Sequence, residues 1–368
     1  MSNYSNLLIL THGRKIILML LSVILLFWQD EKSLQDIKNV MPIDAVHPDS
    51  NRHHRLDSTD ARFCAVEDLK DGKWIPVTYA SPPYFPHYSN RVCSGFDPNS
   101  EEPFETWEWQ PSAVDTKGCV FSGFRKESYC ELMRNKTIAI IGDSTSFDHY
   151  LSVSHLLDVP MELPQPTKVD PLSISEVCEG TSKLIGQKDM DLHTVGDIVS
   201  TFSPDVLVLN RGLHYAPDDE LVFHINQTIV PQLEAWRAKC IDDERSCLLI
   251  WRTTSPGHPN CSEGSTPSSS IEEMEELVQV GSKSGKYTDW HWDDLTAQNS
   301  LVTSFFKMNT TLEVEVMDGY HLQVLRSDSH NPPEDCLHTC APHDTTYAWL
   351  LHHMLQVKYN VAVKLQLL

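Results

Sequence analysis

Two short stretches bring together the residue types that acyl chemistry needs. Gly142-Asp143-Ser144 sets a hydroxyl where a short apolar run ends, and Asp335-Cys336-Leu337-His338 sets a carboxylate three residues before an imidazole. Acyl transfer through serine needs a nucleophile, a base and a group that orients the base. Asp and His three apart can lie on one side of a turn, so Asp335 can hold one ring nitrogen of His338 while the other faces Ser144. Each stretch also has an ordinary reading. Asp143 and Ser144 are both common helix caps, and a surface histidine beside an acid is commoner than a catalytic one. Taken together the two stretches are much more specific than either alone.

The surrounding pattern supplies elements that would position them. Ile138 to Ile141 reads as a buried strand, and helical apolar spacing begins after Ser144. A serine on such a turn sits at the carboxyl edge of a sheet and at a helix N-terminus, where free N–H groups face developing negative charge. Further strand runs follow at Asp205 to Asn210, Cys247 to Thr254 and Leu312 to Met317. Helical stretches lie between them, including Leu221 to Lys239 with Pro231 as a kink or boundary. Ser270-Ile271-Glu272-Glu273 is a capping-box signature opening a helix through Val280, and Thr345 to Tyr359 reads as a last helix with Asp344 as N-cap. Alternating strands and helices predict a parallel sheet in a three-layer α/β/α sandwich, with ligands beyond the carboxyl ends of the strands. Ser144, Asn210 and Arg252 stand at or near such ends. His352 and His353 are adjacent on the last helix and point in different directions, which argues against a metal pair there.

The chain has 368 residues, 40% hydrophobic composition and a net charge of -22. That is enough for a large core, and the acidity argues against a nucleic-acid partner. Arg14 and Lys15 precede Ile16 to Trp28, which is apolar apart from Ser22, and a polar stretch follows. No small-residue cleavage site comes after it, so a signal anchor is preferred over a cleaved signal peptide, with the remainder of the chain lumenal. Residues 1–15 then form a cytosolic tail, 16–28 the anchor, and 29–61 a polar stem. Ten cysteines, all beyond the anchor, read as disulfides, and no Cys-x-x-Cys pair points to a metal site. Cys336 and Cys340 are expected to bond to distant cysteines and so tie the turn bearing His338 to the core. Four glycosylation sequons start at Asn135, Asn226, Asn260 and Asn309.

Residues 62–134 are rich in Pro, Tyr and Trp, with Gly72-Lys73-Trp74-Ile75, Pro82-Pro83-Tyr84 and Trp107-Glu108-Trp109-Gln110-Pro111 separated by cysteines. This predicts an irregular, disulfide-pinned layer with short extended pieces. Its aromatics are suited either to stacking on sugar rings or to a scaffold role.

Gly142-Asp143-Ser144 with Asp335-Cys336-Leu337-His338 resembles the PC-esterase branch of the SGNH/GDSL hydrolases, and most of all the plant trichome-birefringence-like polysaccharide O-acetyltransferases. The likeness extends from about Cys64 to the C-terminus. It takes in the Trp107 to Pro111 segment, Val206 to Gly212, Trp251-Arg252-Thr253-Thr254 with Pro256 and His258, and Arg326-Ser327-Asp328-Ser329-His330. Thr145 and Phe147 stand where the plant proteins usually carry Leu and Arg. The resemblance implies an SGNH-like catalytic domain over 135–368 with Ser144 as nucleophile, His338 as base and Asp335 as its partner. It also implies an oxyanion site at the Gly142-Asp143-Ser144 turn, formed by the Ser144 N–H and the Asn210 side chain. Arg252 would assist donor or transition-state binding, and Trp107 and Trp109 would line an acceptor groove. The implied activity is transfer of acetyl groups to glycan hydroxyls in the Golgi. It needs an acetyl donor, acetyl-CoA or another carrier, and no bound cofactor or metal. A glycan acetylesterase using the same triad, and a non-catalytic carbohydrate-binding protein, are the alternatives; the intact triad speaks against the second.

Overall fold

The computed structural model describes residues 62–79, 92–93, 96–97, 100, 102–159, 172–214, 216–259, 261, 265–283, 285–308, 311–331 and 335–359. The expected tail, anchor and stem, the Pro82-Pro83-Tyr84 stretch and the sequon asparagines Asn260 and Asn309 lie outside the described residues. Asn135 and Asn226 are both exposed.

The first described strands are β1 (Gly72–Tyr79) and β2 (Phe104–Pro111), paired antiparallel with Trp74 opposite Trp109. The sequence predicted only short extended pieces here, yet the two strands make a regular ladder eight residues long. The Trp, Ile, Val, Thr and Tyr that looked like an irregular aromatic layer are the residue types that fit a pleated surface.

Six strands then build one sheet: β3 (Thr137–Gly142), β4 (Leu172–Val177), β5 (Ser182–Lys188), β6 (Val206–Leu209), β7 (Leu248–Arg252) and β8 (Val314–Met317). Their order is β4-β5-β3-β6-β7-β8, parallel throughout except for β4 at one edge. From β3 the chain runs outward to β4 and β5 on one side, then returns to β6 on the other. The order therefore reverses between β3 and β6, and a crevice opens beyond their carboxyl ends.

Side-chain alternation along the strands divides the interior in two. Ile138, Ile140, Leu184, Val206, Val208, Leu248 and Ile250 face one apolar cluster, packed with Tyr150, Leu151, Leu351 and Leu355. Ala139, Ile141, Ile185, Leu207, Leu209, Leu249 and Trp251 face the other, packed with Ile198, Leu233, Trp236, Val302 and Phe306. The first cluster draws on the helices Ser144–Leu156 and Thr346–Tyr359. The second draws on Val195–Phe202, Val230–Asp242 and Leu295–Met308. Helices thus cover both faces of the sheet, giving the three-layer α/β/α sandwich, and strands buried on both sides explain the continuous apolar runs in the sequence.

The predicted helix over Leu221 to Lys239 is interrupted where Pro231 stands. It comprises Asp218–His224, a wider π turn at Ile225–Ile229, and Val230–Asp242. Proline lacks the N–H that the regular ladder requires, and the wider turn accommodates the loss. Ser270 caps the helix Ile271–Ser282 by accepting from the Glu273 N–H at 3.1 Å. His352 and His353 diverge as expected, His352 contacting the Gly123 carbonyl and His353 the Cys64 carbonyl.

Five disulfides join Cys64–Cys119, Cys93–Cys340, Cys130–Cys178, Cys240–Cys247 and Cys261–Cys336. Cys336 and Cys340 each bond to a distant partner, as the sequence led us to expect.

The helix Ser144–Leu156 lies close on β5 at Gly186, where an added Cβ would sit 2.4 Å from the buried Tyr150 ring. Gly186→Ala should therefore destabilise the chain by about 1–3 kcal/mol, read as a lower denaturant midpoint with an unchanged slope.

Candidate active site

Ser144 is the first residue of the helix that leaves β3, and Asp143 is its N-cap, accepting from the N–H groups of Thr145 at 2.9 Å and Ser146 at 3.3 Å. A helix beginning at Ser144 leaves that residue's own N–H without a carbonyl one turn back, so it is free to face the reacting centre. The turn must be tight. A Cβ on Gly142 would lie 2.4 Å from Ser146 Oγ and 2.5 Å from the Asn210 carbonyl oxygen, so only glycine lets the end of β3 pass so close to the end of β6. Of the two residues that could cap the helix, Asp143 does so, which leaves the Ser144 hydroxyl free of that task.

Ser144 Oγ lies 2.8 Å from His338 Nε2, and His338 Nδ1 lies 2.8 Å from Asp335 Oδ2. The other carboxylate oxygen of Asp335 accepts the N–H groups of Leu337 and His338, both at 3.0 Å. Partial burial disfavours charge on Asp335. The bonds from His338 and from those two backbone N–H groups outweigh it and hold the carboxyl well below the usual carboxylate range. An ionised carboxylate only accepts, so His338 Nδ1 carries a proton; with the ring neutral, Nε2 is the nitrogen that accepts from the Ser144 hydroxyl. The contribution of Asp335 to stability is fully present above the ordinary carboxylate pKa of about 3.9 and is lost as pH falls through its depressed folded value. Ser144, Asp335 and His338 are all partly exposed, so the three groups meet where solvent or a large acceptor can reach them.

Three neighbouring features fix this turn. Cys336 is bonded to Cys261 and Cys340 to Cys93. Asp335 and Asn331 exchange backbone hydrogen bonds of 2.9 and 3.2 Å. The carbonyl of His338 is held by His330 Nδ1 at 2.9 Å.

Asn210 and Arg252 stand beside the triad but are not free to bind a ligand. Asn210 is 1% exposed, and its Nδ2 donates to the Arg252 carbonyl at 2.9 Å and to Thr254 Oγ1 at 2.8 Å. Its Oδ1 accepts from Arg252 Nη2 at 2.9 Å. A carbonyl can only accept and a guanidinium can only donate, so the neighbours fix the amide's orientation and both its hydrogens are engaged. The oxyanion role expected of the Asn210 side chain is therefore corrected: it joins β6 to β7. Arg252, also 1% exposed, donates to the Thr145 carbonyl, Thr145 Oγ1 and Ser146 Oγ at 3.0, 2.7 and 3.0 Å, with its guanidinium carbon 4.4 Å from the centre of the Tyr347 ring. It lies beneath the turn that carries Ser144, so the donor-binding role expected of it becomes one of positioning.

One of the two tryptophans is likewise reassigned. Trp109 is 4% exposed, its ring N–H donates to the Leu69 carbonyl at 2.7 Å, and it packs edge-on against Trp74. It is scaffold, with no open face for a sugar. Trp107 is half-buried and packs against the same apolar cluster.

Thr254, Ser146 and Tyr347, to which sequence reasoning assigned no role, complete the ring of contacts around Asn210 and Arg252. Thr254 lies within the Trp251-Arg252-Thr253-Thr254 stretch, which was the available signal; Tyr347 looked like one more apolar position on the last helix. A narrow cavity adjoins the site, bordered by Thr145, Leu337, Thr339, Ser255 and Tyr347. Its free volume of ≈ 20 Å³ suits about one water, so a glycan chain would have to lie outside it. Among the described residues no group of three or more His, Cys, Asp or Glu side chains could hold a metal ion, and no helix is long and apolar enough to cross a membrane. The expected anchor lies outside the described residues.

If Asn210 joins strands as the hydrogen bonds indicate, Asn210→Ala leaves a buried hydroxyl, a carbonyl and a guanidinium N–H each short of a partner. The variant should lose about 1–3 kcal/mol of stability as well as activity, measured by urea unfolding. A variant of wild-type stability would return Asn210 to the oxyanion role.

No family model matches the chain. Protein trichome birefringence-like 18 of Arabidopsis thaliana is 23% identical over 352 aligned positions, covering 75% of this chain and 63% of that protein. Protein trichome birefringence-like 19 of the same plant is 29% identical over 110 residues, 28% of this chain and 24% of that protein. Xyloglucan O-acetyltransferase 4 of Populus trichocarpa is 30% identical over 106 residues, 26% of this chain and 23% of that protein. The chain covers less than two thirds of the length of each of these relatives. By these likenesses the chain is similar to trichome birefringence-like proteins, in one case over about three quarters of its length.

Proposed function

We propose that the protein is an O-acetyltransferase that moves acetyl groups onto glycan hydroxyls through an acetyl-Ser144 intermediate. The observation that carries the reading is the unbroken chain from Ser144 Oγ to His338 Nε2 and from His338 Nδ1 to Asp335 Oδ2, each contact 2.8 Å. His338 takes the Ser144 proton as the serine oxygen attacks the acetyl carbonyl. The negative charge that develops on the carbonyl oxygen is met by the Ser144 N–H and the positive end of its helix. His338 then gives that proton to the departing carrier, acetyl-CoA or another acetyl donor. In the second half an acceptor hydroxyl gives its proton to His338 and attacks the ester, and the proton returns to Ser144 as the acetyl group leaves. Asp335 holds the imidazole in the right tautomer and stabilises its charged form in both halves.

A relative named as a xyloglucan O-acetyltransferase supports a polysaccharide acceptor. The net charge of -22 favours a neutral polymer over an anionic one. The five disulfides and the apolar segment Ile16 to Trp28 support an oxidising, lumenal setting behind a signal anchor in the Golgi membrane.

Ser144→Ala should fold normally and lose essentially all turnover. The wild type incubated with labelled acetyl donor should carry one label on Ser144. Following that label into free acetate and into neutral polymer measures hydrolysis and transfer together. Transfer to polymer above background acetate supports the proposal; acetate as the sole product, with acetylated glycans rapidly stripped, replaces it with an acetylesterase.

A further inference from the structure

Two buried histidines adjoin the site without belonging to the triad. His258 and His330 are 3% and 5% exposed, and His258 Nδ1 lies 2.7 Å from His330 Nε2. Each ring also spends its other nitrogen on a backbone carbonyl. His258 Nε2 is 2.8 Å from the Val324 oxygen, and His330 Nδ1 is 2.9 Å from the His338 oxygen. A carbonyl oxygen can only accept, so both of those nitrogens carry protons. A neutral imidazole has one N–H. With both rings neutral, the nitrogens facing each other at 2.7 Å would be two bare lone pairs. Switching either ring to its other tautomer only moves the clash to a carbonyl.

We infer that His258 and His330 share a third proton, forming a singly charged pair that positions the base through the His338 carbonyl and keeps that base neutral. Burial works against charge on either ring taken alone. The facing nitrogens act in the opposite sense, because a buried charge-assisted hydrogen bond replaces a repulsive contact. Nearby charges can accommodate it. Arg326 is matched by Asp328, at 2.9 and 3.1 Å, leaving Asp335 on the His338 side as counter-charge. Asp148, His149 and Asp344 border the same cavity as the pair, and His149 is held neutral by burial and by Arg252.

The pair is built into the catalytic turn. The His258 N–H donates to the Cys336 carbonyl at 2.8 Å, and Cys261, three residues on, is bonded to Cys336. A positive charge in contact with the His338 backbone disfavours a second proton on the His338 ring. It opposes the Asp335 carboxylate, which pulls the other way, and so keeps Nε2 able to accept from Ser144 over a wider range of acid pH.

The first test needs no activity, and so separates this inference from the proposed function. In the ¹⁵N-histidine-labelled full chain, one strongly deshielded ring proton coupled to two nitrogens should persist at pH 7–8 and vanish in His258→Gln. Two singly protonated neutral rings at that pH would overturn the inference. The second test rests on His338 acting as base, and follows kcat/KM against pH with a soluble acetyl ester. Glutamine at 258 can still donate to His330 Nε2 but carries no charge, so the acidic limb should move to higher pH by about half a unit or more. A purely structural lesion would lower the whole profile without moving the limb, and that result would overturn the electrostatic role.

Discussion

A guanidinium buried to 1% exposure is tolerated only where hydrogen bonds replace the water it has lost. Arg252 at the end of β7 meets most of that demand by drawing together two other strand ends, its Nε alone lacking a partner among the described residues. Its Nη atoms reach Thr145 and Ser146 just beyond β3 and Asn210 just beyond β6, and Tyr347 of the last helix supports its face. The requirement to satisfy one buried cation thus fixes the relative height of three neighbouring strand ends. Ser144 is carried on that platform. Replacing Arg252 with a lysine would keep the charge but lose the planar fork that reaches several acceptors at once.

The other half of the triad is held by a different kind of force. Asp335 and His338 sit on a turn far along the chain, and nothing in their local sequence would keep it pressed against Ser144. Two disulfides, Cys261–Cys336 and Cys93–Cys340, bracket the turn, and His330 holds its central carbonyl. Hydrogen bonds at the sheet edge and covalent ties at the turn therefore meet across a single 2.8 Å contact between Ser144 and His338. A shift of 1 Å in either support would break that contact.

The parts of this arrangement that sequence reveals are those written in local pattern. Continuous apolar runs gave strands β3, β6 and β7 because a sheet buried on both faces needs them, while β8 at the sheet edge showed the alternation of Val314-Glu315-Val316. Ser144, Asp335 and His338 could be paired because each type has a distinct chemical task. Strand β5 was less legible, since Ser182–Lys188 contains two lysines, a glutamine and a glycine and its burial comes from β3 and from Tyr150. The roles of Asn210, Arg252 and Trp109 were misread for a related reason. An amide, a guanidinium or an indole can serve a ligand or the scaffold, and the choice depends on which partners the fold brings to it. Only the tertiary contacts of Asn210 consume both its amide hydrogens, and only the position of Trp74 and Leu69 encloses the Trp109 ring.

The same hydrogen bonds constrain how a glycan acetyltransferase would work here. With the Asn210 amide committed to Arg252 and Thr254, and the Thr145 and Ser146 N–H groups to Asp143, the oxyanion of the proposed reaction would depend on the Ser144 N–H and the positive end of its helix. That N–H would need no reorganisation because Asp143 has already fixed the turn. With Trp109 in the core and the adjoining cavity small, a glycan acceptor would not be gripped from within; it would approach the partly exposed Ser144, His338 and Asp335 from the surface. An open approach admits water as readily as a sugar hydroxyl. Preference for transfer must then come from surface contacts that hold the hydroxyl in attack geometry, where effective molarity can exceed that of bulk water. In such a site the selection of product rests on acceptor binding and leaves the triad unchanged between transferase and esterase. A general base that stays neutral into the acid range would serve either outcome.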